Sequence, residues 1–292
     1  MKDKLNSNRS RTFLAITIPI VILFFVFNTM AVIQGFGYSL TNFKGFGGYD
    51  FVGLRNYIDL FSDERIINSY IFTFGFAIIC TILVNIISLV LALGLSSKIR
   101  AQGALRAIYF LPNILGGLVI GYVFNFFFTY ILPGIGEAIN SGALSNSLLA
   151  SPKTAWFALV ITVAWQAVAL NTLIYISGLQ TVPEDVYEAG AIDGAVGFKK
   201  FKNITFPLIM PFFTINMVLC MKNFLMVFDQ VVSLTGGGPA RSTESISFLI
   251  YSGGLSGGAF GYQSANAVIF FVVIVTISIF QLRFLNSKEE QL

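Results

Sequence analysis

The chain contains 292 residues, of which 55% are hydrophobic and only 11% are charged, and its mean hydropathy is +0.79. Soluble domains carry roughly a quarter charged residues, so the composition excludes a soluble globular protein and predicts a polytopic membrane protein. The absence of histidine excludes imidazole metal sites and histidine-based catalysis. We interpret the net charge of +4 as a consequence of membrane topology and not of nucleic-acid binding.

Six apolar stretches are long enough for a membrane-spanning helix of about 20 residues. They are Phe13–Ile33, Ser69–Leu95, Leu105–Phe128, Trp156–Gly178, Pro207–Phe228 and Ala265–Phe284. The sequence therefore predicts an all-α fold with one six-span membrane domain, residues 13–284, between short tails at residues 1–12 and 285–292. An even number of spans places both termini on the same side of the membrane.

Lysine and arginine orient these spans, because cytoplasmic loops carry an excess of both residues. One side holds twelve of them and the other side five, while Lys222 lies inside the fifth span. The larger group is Lys2, Lys4, Arg9, Arg11, Lys98, Arg100, Arg106, Lys199, Lys200, Lys202, Arg283 and Lys288, and the smaller group is Lys44, Arg55, Arg65, Lys153 and Arg241. We therefore expect both termini in the cytoplasm.

The first apolar stretch follows a basic start, as the apolar region of a signal peptide does. It is too long for such a region and lacks a small-x-small cleavage site, so we interpret it as an uncleaved span. Both cysteines, Cys80 and Cys220, fall within predicted spans. Neither is placed for an external disulfide or a metal site.

Two segments outside the cytoplasmic loops allow a structural and a functional interpretation. Leu54–Phe61, in the outside segment 34–68, is either a helix on the membrane surface or a plain polar loop. In the third span, Pro112 predicts a kink, and Gly117 and Gly121 have the GxxxG spacing of closely packed helices. These glycines indicate either ordinary packing or a kinked helix beside a translocation path.

The cytoplasmic loop 179–206 combines charge with apolar residues. Pro183 suits the first turn of a helix. The negative charges of Glu184, Asp185 and Glu188 would be stabilised near the positive N-terminal end of that helix. Gly194 permits a turn with positive φ. A basic cytoplasmic loop would explain the charges, but it has no need of Ala189, Ala191, Ile192, Phe198 and Phe201. These apolar residues favour a docking surface made of a helix, a turn and a second short helix.

The same loop resembles the EAA loop of membrane subunits in bacterial binding-protein-dependent ABC importers. The matching residues are Glu188-Ala189-Gly190, Gly194 after three residues, and Ile204-x-Phe206-Pro207 after nine more. Gly190 replaces the usual second alanine and Phe206 the usual leucine. Phe51–Tyr57, Arg106–Pro112 and Leu234–Pro239 resemble further motifs of the MalF/UgpA-like carbohydrate permeases. The large external insertion of the enteric maltose permease is missing.

This resemblance implies a type I ABC-importer (MetI-like) permease fold in the cytoplasmic (inner) membrane of a bacterium. It implies four kinds of partner: a second permease subunit, two copies of an ATPase, an external sugar-binding protein and the sugar itself. The sequence lacks GxxxxGK[ST], so ATP and magnesium would be used by the ATPase, and this chain would be no enzyme and hold no cofactor. The residues implied for ATPase coupling are Glu184, Glu188, Ala189, Gly190, Asp193, Gly194 and Pro207.

Polar residues inside the spans indicate where a solute would pass, because such groups tend to face a bundle interior or a water-filled cavity. They are Asn113, Gln166, Asn171, Lys222 and Asn223, with Asp229 at a span end. Alternatively, each of these side chains could simply form a hydrogen bond that links two helices. The resemblance places sugar contacts at Asn113, Gly117, Gln166, Leu170, Asn223, Phe224 and Val227, and we expect Trp165 and Phe224 to offer flat apolar faces.

The substrate allows several alternatives to an oligosaccharide or disaccharide. The same machinery could serve a polyol, glycerol phosphate or an amino acid, and Lys222 could pair with a substrate phosphate, face the second permease or pack structurally. A secondary transporter that works alone is a more distant alternative. It predicts carboxylates in mid-span and internal repeats, which the sequence does not show, and it has no use for a coupling loop.

Overall fold

The computed structural model describes residues 2–96, 103, 110–142 and 144–289, without the side chains of residues 2–12, 286, 288 and 289. Lys98, Arg100, residues 105–109 of the predicted third span and residues 290–292 of the predicted tail lie outside the described residues. The motif Arg106–Pro112 is therefore described only in part.

The described residues form an all-helical fold without a β-strand, with one isolated bridge between Thr41 and Phe51. In chain order the helices are α1 Phe13–Ser39, which continues a helix from Lys2, α2 Arg55–Leu60, α3 Glu64–Ser96, α4 Gly117–Ala138, α5 Pro152–Thr181, α6 Glu184–Ile192, α7 Gly197–Leu208, α8 Met210–Leu225, α9 Ile246–Ser256 and α10 Phe260–Glu289. Residues 110–114 form a further short helical segment before α4, and residues 229–235 form another between α8 and α9.

Five helices in the described ranges, α1, α3, α4, α5 and α10, are long and apolar enough to cross a membrane. The pair α7 and α8 makes a sixth span if it is counted as one, although it is bent by 72°. With that pair included, the predicted number of six spans is confirmed.

The predicted third span, Leu105–Phe128, is wrong in its bounds. The chain bends at Leu115, Gly116 is extended (φ −64°, ψ 146°), and α4 then runs to Ala138. Two adjacent glycines, Gly116 and Gly117, weaken the helix at this point. Beyond Phe128 the sequence stays apolar, and the helical turns end where Asn140 adopts a positive φ of 53°. The segment predicted as a loop from residue 129 is thus helical as far as Ala138.

The predicted fifth span, Pro207–Phe228, is also wrong in its bounds. Pro207 belongs to the last turn of α7, and the chain bends at Ile209 before α8 begins. Pro211 has no backbone N–H and cannot continue an i→i−4 ladder into α7. At its other end α8 stops at Leu225, three residues before the predicted end.

The contacts divide the chain into two compact units. The first comprises the described residues of Met1–Asp63 and Ile250–Phe271. In it, Nδ2 of Asn56 donates to the carbonyl oxygens of Ser39 and Thr41, at 2.8 and 2.9 Å. An aromatic cluster of Tyr38, Phe43, Tyr49 and Phe260 fixes the loop after α1. Helix α2 shows that the predicted segment Leu54–Phe61 is helical from Arg55 to Leu60, with Leu54 and Phe61 as its caps. Its position at a membrane surface stays a prediction.

The second unit comprises Glu64–Leu249 with the described residues of Val272–Leu292. Helices α3, α5 and α8 pack together as its core. Small buried residues such as Ala77 and Ala92 of α3 and Ala158 of α5 allow these helices to approach closely, as is usual for helix packing in membranes. Tyr175 is fully buried between them, and its hydroxyl donates to Oδ1 of Asn85 at 2.6 Å. Both candidate sites described below lie in this unit.

Candidate functional site: a helical loop and a cavity

Helix α6 forms where its sequence predicts, except that Pro183 precedes the first turn and does not belong to it. Pro183 is the extended N-cap (φ −62°, ψ 143°), and Glu184 and Asp185 occupy the first turn, where negative charge is favourable against the helix dipole. Glu184, Glu188 and Ala189 are exposed. The helix therefore presents an acidic edge to its surroundings.

The end of α6 is a Schellman turn. The backbone N–H of Ala195 donates to the carbonyl of Gly190 at 2.8 Å, and that of Gly194 donates to Ala191 at 3.1 Å. Gly194 has φ +72°, a left-handed conformation that glycine adopts without strain. This confirms the predicted turn. It reverses the chain within Asp193–Val196 and leads into α7.

Two contacts hold α6 against α7. A Cβ atom at Gly190 would overlap the Cδ1 atom of Ile204, so the isoleucine packs directly on the helix backbone. The Nζ atom of Lys200 lies 4.0 Å from the ring centroid of Tyr187, a cation–π contact. The predicted helix, turn and second helix are therefore one packed element. Pro207 is half-buried at the end of α7, next to the bend.

The turn between α6 and α7 exposes large apolar side chains. Ile192 is 87% exposed, Val196 70% and Phe198 77%. Asp193 and Glu188 lie exposed on the same element. Apolar side chains grouped in this way and rimmed by charge indicate a protein-binding surface. We call the exposed face of residues 184–198 the docking face.

A cavity of about 310 Å³ lies between α5, the end of α8 and the segment that follows α8. Its lining includes six of the eight residues predicted for the substrate path, namely Asn113, Gln166, Leu170, Asn223, Phe224 and Val227. The other lining residues are Val163, Ala167, Asn171, Cys220, Met226, Phe228, Asp229 and Gln230. We call this space the central cavity.

The central cavity lies where helices are interrupted. Helix α8 has 16 residues, about 24 Å at 1.5 Å per residue, which is shorter than a hydrocarbon core of about 30 Å. It ends at Leu225, and the non-helical residues 226–228 and the start of the next helical segment, at Asp229 and Gln230, line the cavity. The helical residues 110–114 likewise end beside it, at Asn113. Irregular backbone at membrane depth is tolerated where it is buried or lines a water-filled cavity, and discontinuous helices mark solute sites in other transporters.

A hydrogen-bond chain fixes one wall of the central cavity. Nε2 of Gln166 donates to the carbonyl of Leu115 at 3.0 Å, and Nε2 of Gln230 donates to Oε1 of Gln166 at 2.7 Å. Gln166 thus supplies a donor to a carbonyl at the helix interruption. Asn223 is exposed, and within the described part of the chain its amide makes no hydrogen bond. Of these two amides, Asn223 is the one available to a solute.

Gly117 and Trp165 do not line the central cavity. A Cβ at Gly117 would lie 2.8 Å from Cβ of Asp229 and from Nε2 of Gln230, so Gly117 makes room for residues that do line it. One turn later, Gly121 packs on Ser233, which confirms close packing at the GxxxG pair. Trp165 is 45% exposed and packs its ring on Phe124, with centroids 5.3 Å apart.

Sequence reasoning missed Met226, Phe228 and Gln230, which line the central cavity. Met226 and Phe228 follow the end of α8, where the predicted span continues as a helix to Phe228, and Gln230 lies beyond the predicted end of that span. Lys222 is exposed and is not among the lining residues, so the cavity lining does not support a role for it as a phosphate partner.

Comparison with known proteins identifies the family. A sequence profile described as "Binding-protein-dependent transport system inner membrane component" matches residues 85–289. The chain belongs to this family. It is therefore a transport subunit, an ABC importer permease of the inner membrane, and not an enzyme.

Curated relatives match along nearly the whole chain. A probable starch degradation products transport permease, AmyD of Thermoanaerobacterium thermosulfurigenes, is 36% identical over 96% of this chain and 92% of its own. The multiple sugar-binding transport permease MsmF of Streptococcus mutans is 33% identical over 99% of both chains. The sn-glycerol-3-phosphate transport permease UgpA of Agrobacterium fabrum is 29% identical over 92% of this chain and 93% of its own.

A solved structure shows the same fold. It is a bacterial ABC transporter involved in the import of the acidic polysaccharide alginate, with a TM-score of 0.83 over 98% of this chain and 99% of that chain, at 19% identity. The predicted ABC-importer permease fold is therefore confirmed.

Proposed function

We propose that this permease forms half of the translocation path of an ATP-driven sugar importer and takes an oligosaccharide or disaccharide. The observation that carries the proposal is the presence, in one packed unit, of an exposed docking face and of a cavity lined by amide side chains, of which Asn223 is available to a solute. Relatives named for starch degradation products and multiple sugars support a sugar as the solute. The family assignment leaves no support for a secondary transporter that works alone.

The helices offer a direct mechanical path from the docking face to the central cavity. Helix α6 packs on α7 through Gly190 and Ile204, and α7 runs into α8 through the bend at Ile209. Helix α8 carries Asn223 and Phe224, which line the cavity. Movement of the docking face by a partner would therefore move one wall of the cavity, which is what alternating access requires.

The partners follow from this division of work. A second permease would complete the cavity, two ATPase copies would bind the docking faces, and a sugar-binding protein would deliver the solute. ATP and magnesium would act in the ATPase, because the sequence has no GxxxxGK[ST] loop. Both termini would be cytoplasmic, from the lysine and arginine distribution, and the docking face would then lie on the ATPase side.

Each residue predicted for coupling has a specific place in the proposal. Glu188 and Ala189 lie on the exposed part of α6, with Glu184 at its start and Asp193 at its end. Gly190 and Gly194 set the packing and the turn, and Pro207 lies next to the bend that leads into α8. The first group would contact the ATPase, and the second would keep the contact rigid.

The experiment is an affinity purification of the tagged chain from its own membrane, followed by mass spectrometry and by reconstitution of the purified complex in liposomes. We expect a second six-span permease, an ATPase with a phosphate-binding loop, and sugar uptake that needs ATP and the binding protein. Recovery of the chain alone, with transport that does not need ATP, would contradict the proposal.

A further inference from the structure

Among the described residues that line the central cavity, Asp229 is the one that carries a charge at neutral pH, and that charge is negative. The other polar groups in this described lining are the amides of asparagine and glutamine and the Cys220 thiol. Lys222 precedes Asn223 on α8 but is not a lining residue. The described part of the cavity therefore contains no cationic side chain that could bind an anionic solute.

Asp229 is held in this position by the start of α4. Its Oδ2 lies 3.0 Å from where a Cβ of Gly117 would be, so the carboxylate fits there because residue 117 has no side chain. Helix α4 begins at Gly117. Its first backbone hydrogen bond runs from the N–H of Ile120 to the carbonyl of Gly116. The N–H groups of the first turn are thus free of intrahelical acceptors, and the helix dipole favours a negative charge there.

The helix end compensates only part of the charge. A helix N-terminus is equivalent to roughly half an elementary charge, and among the described residues no lysine or arginine forms an ion pair with Asp229. The described lining of the cavity therefore keeps a net negative charge. Like charges within a few ångströms repel strongly in a partly desolvated space, whereas sugar hydroxyls donate charge-assisted hydrogen bonds to a carboxylate.

We propose that Asp229 is a specificity-determining residue of the central cavity, which admits neutral saccharides and rejects saccharides that carry a phosphate or a carboxylate. This inference rests on the proposed function. It distinguishes a neutral from an anionic solute, which sequence similarity does not, because the relatives include permeases named for starch degradation products and for sn-glycerol-3-phosphate.

The test uses the purified complex of both permeases and the ATPase without the binding protein, so that only the membrane cavity is probed. The probes are maltose and maltose 6′-phosphate, which differ in one charged group, and binding is measured by saturation-transfer NMR. We expect the wild-type complex to prefer maltose by at least about tenfold. Asp229→Asn should bring the preference to within about twofold, while Asp229→Glu, which keeps the charge, should retain most of it.

Glu137→Gln is the matched control, because it removes one exposed carboxylate in α4 that does not line the cavity, and it should leave the preference unchanged. Equal binding of both probes to the wild type, or an unchanged preference in Asp229→Asn, would overturn the role of Asp229 while leaving a sugar importer in place. Failure to bind either probe would contradict both this inference and the proposed function.

Discussion

Ile204 fills the space that a Cβ atom at Gly190 would need, so the glycine that departs from the usual alanine of the EAA loop is matched by a side chain fourteen positions later. Gly190→Ala should therefore lower transport and coupled ATPase activity, although alanine is about 1 kcal/mol more favourable than glycine inside a helix. The reason is overpacking, which typically costs about 1–3 kcal/mol and would shift α6 on α7.

Ile204→Val supplies the control, because it removes the Cδ1 atom that the new methyl group would meet. The double variant Gly190→Ala, Ile204→Val should recover most of the coupled ATPase activity in proteoliposomes. If the double variant is as impaired as Gly190→Ala, the contact between these two residues is not the cause.

A substitution of Glu188 tests the role of the docking face without disturbing the fold. Glu188 is exposed on α6, and neither of the salt bridges among the described residues involves it. Glu188→Arg should abolish transport and the stimulation of ATP hydrolysis by the loaded binding protein, because it reverses charge where the ATPase would bind. The thermal stability of the permease should stay within about 0.5 kcal/mol, as for most surface substitutions.

Glu137→Arg is the control for Glu188→Arg, because it makes the same charge reversal at an exposed site in α4, outside the docking face. It should leave coupled ATPase activity near the wild-type level. Normal transport by Glu188→Arg would remove Glu188 from the coupling role.

The sequence predicts spans and the docking face well because both depend on local composition. Long apolar runs and the Gly194 turn are visible in a few consecutive residues. The interruption at Leu115 and Gly116 is not, because its carbonyl is satisfied by Gln166, 51 residues away. Hydropathy cannot indicate a helix end whose polar groups are satisfied from a distant helix.

Trp165 shows a second limit of sequence reasoning. Neighbouring residues of a helix point about 100° apart, so Gln166 lines the central cavity while Trp165 packs on Phe124 outside it. The type of residue suggested a stacking surface for sugar, but the rotation of α5 in the fold decides which face meets the cavity. Gln230 shows the opposite case, because it lies beyond the predicted span and yet becomes part of the cavity wall.

Gln166 and Asn223 should give separable effects, because only one of them is committed to the fold. Gln166→Ala removes the donor to the Leu115 carbonyl and the acceptor for Gln230, and we expect a loss of about 1–3 kcal/mol in stability together with reduced transport. Among the described residues the Asn223 amide has no hydrogen-bond partner, so Asn223→Ala should raise the sugar concentration needed for half-maximal transport and leave the melting temperature unchanged. Thermal melting of the purified complex and uptake at several sugar concentrations distinguish the two. Equal melting temperatures for both variants would contradict the assignment of Gln166 to the wall.

Arg65 and Glu244 tie the start of α3 to the loop that supports the central cavity. Nε of Arg65 donates to Oε2 of Glu244 at 2.9 Å and Nη2 donates to Oε1 at 2.7 Å. The next residue, Ser245, is buried, and its hydroxyl donates to the carbonyl of Val227 at 2.8 Å. Since Val227 lines the cavity after the end of α8, this loop holds the cavity wall in place.

The two partners of this ion pair should respond differently to substitution. The Glu244 side chain is 5% exposed, whereas that of Arg65 is 38% exposed. Arg65→Met strands a buried carboxylate and should destabilise the protein by about 2–4 kcal/mol, somewhat less than a fully buried pair. Glu244→Gln leaves an arginine that water can still reach, so its cost should be about 1 kcal/mol. Denaturation of both purified variants checks the order, and a larger loss for Glu244→Gln would show that the pair is not governed by the burial of its carboxylate.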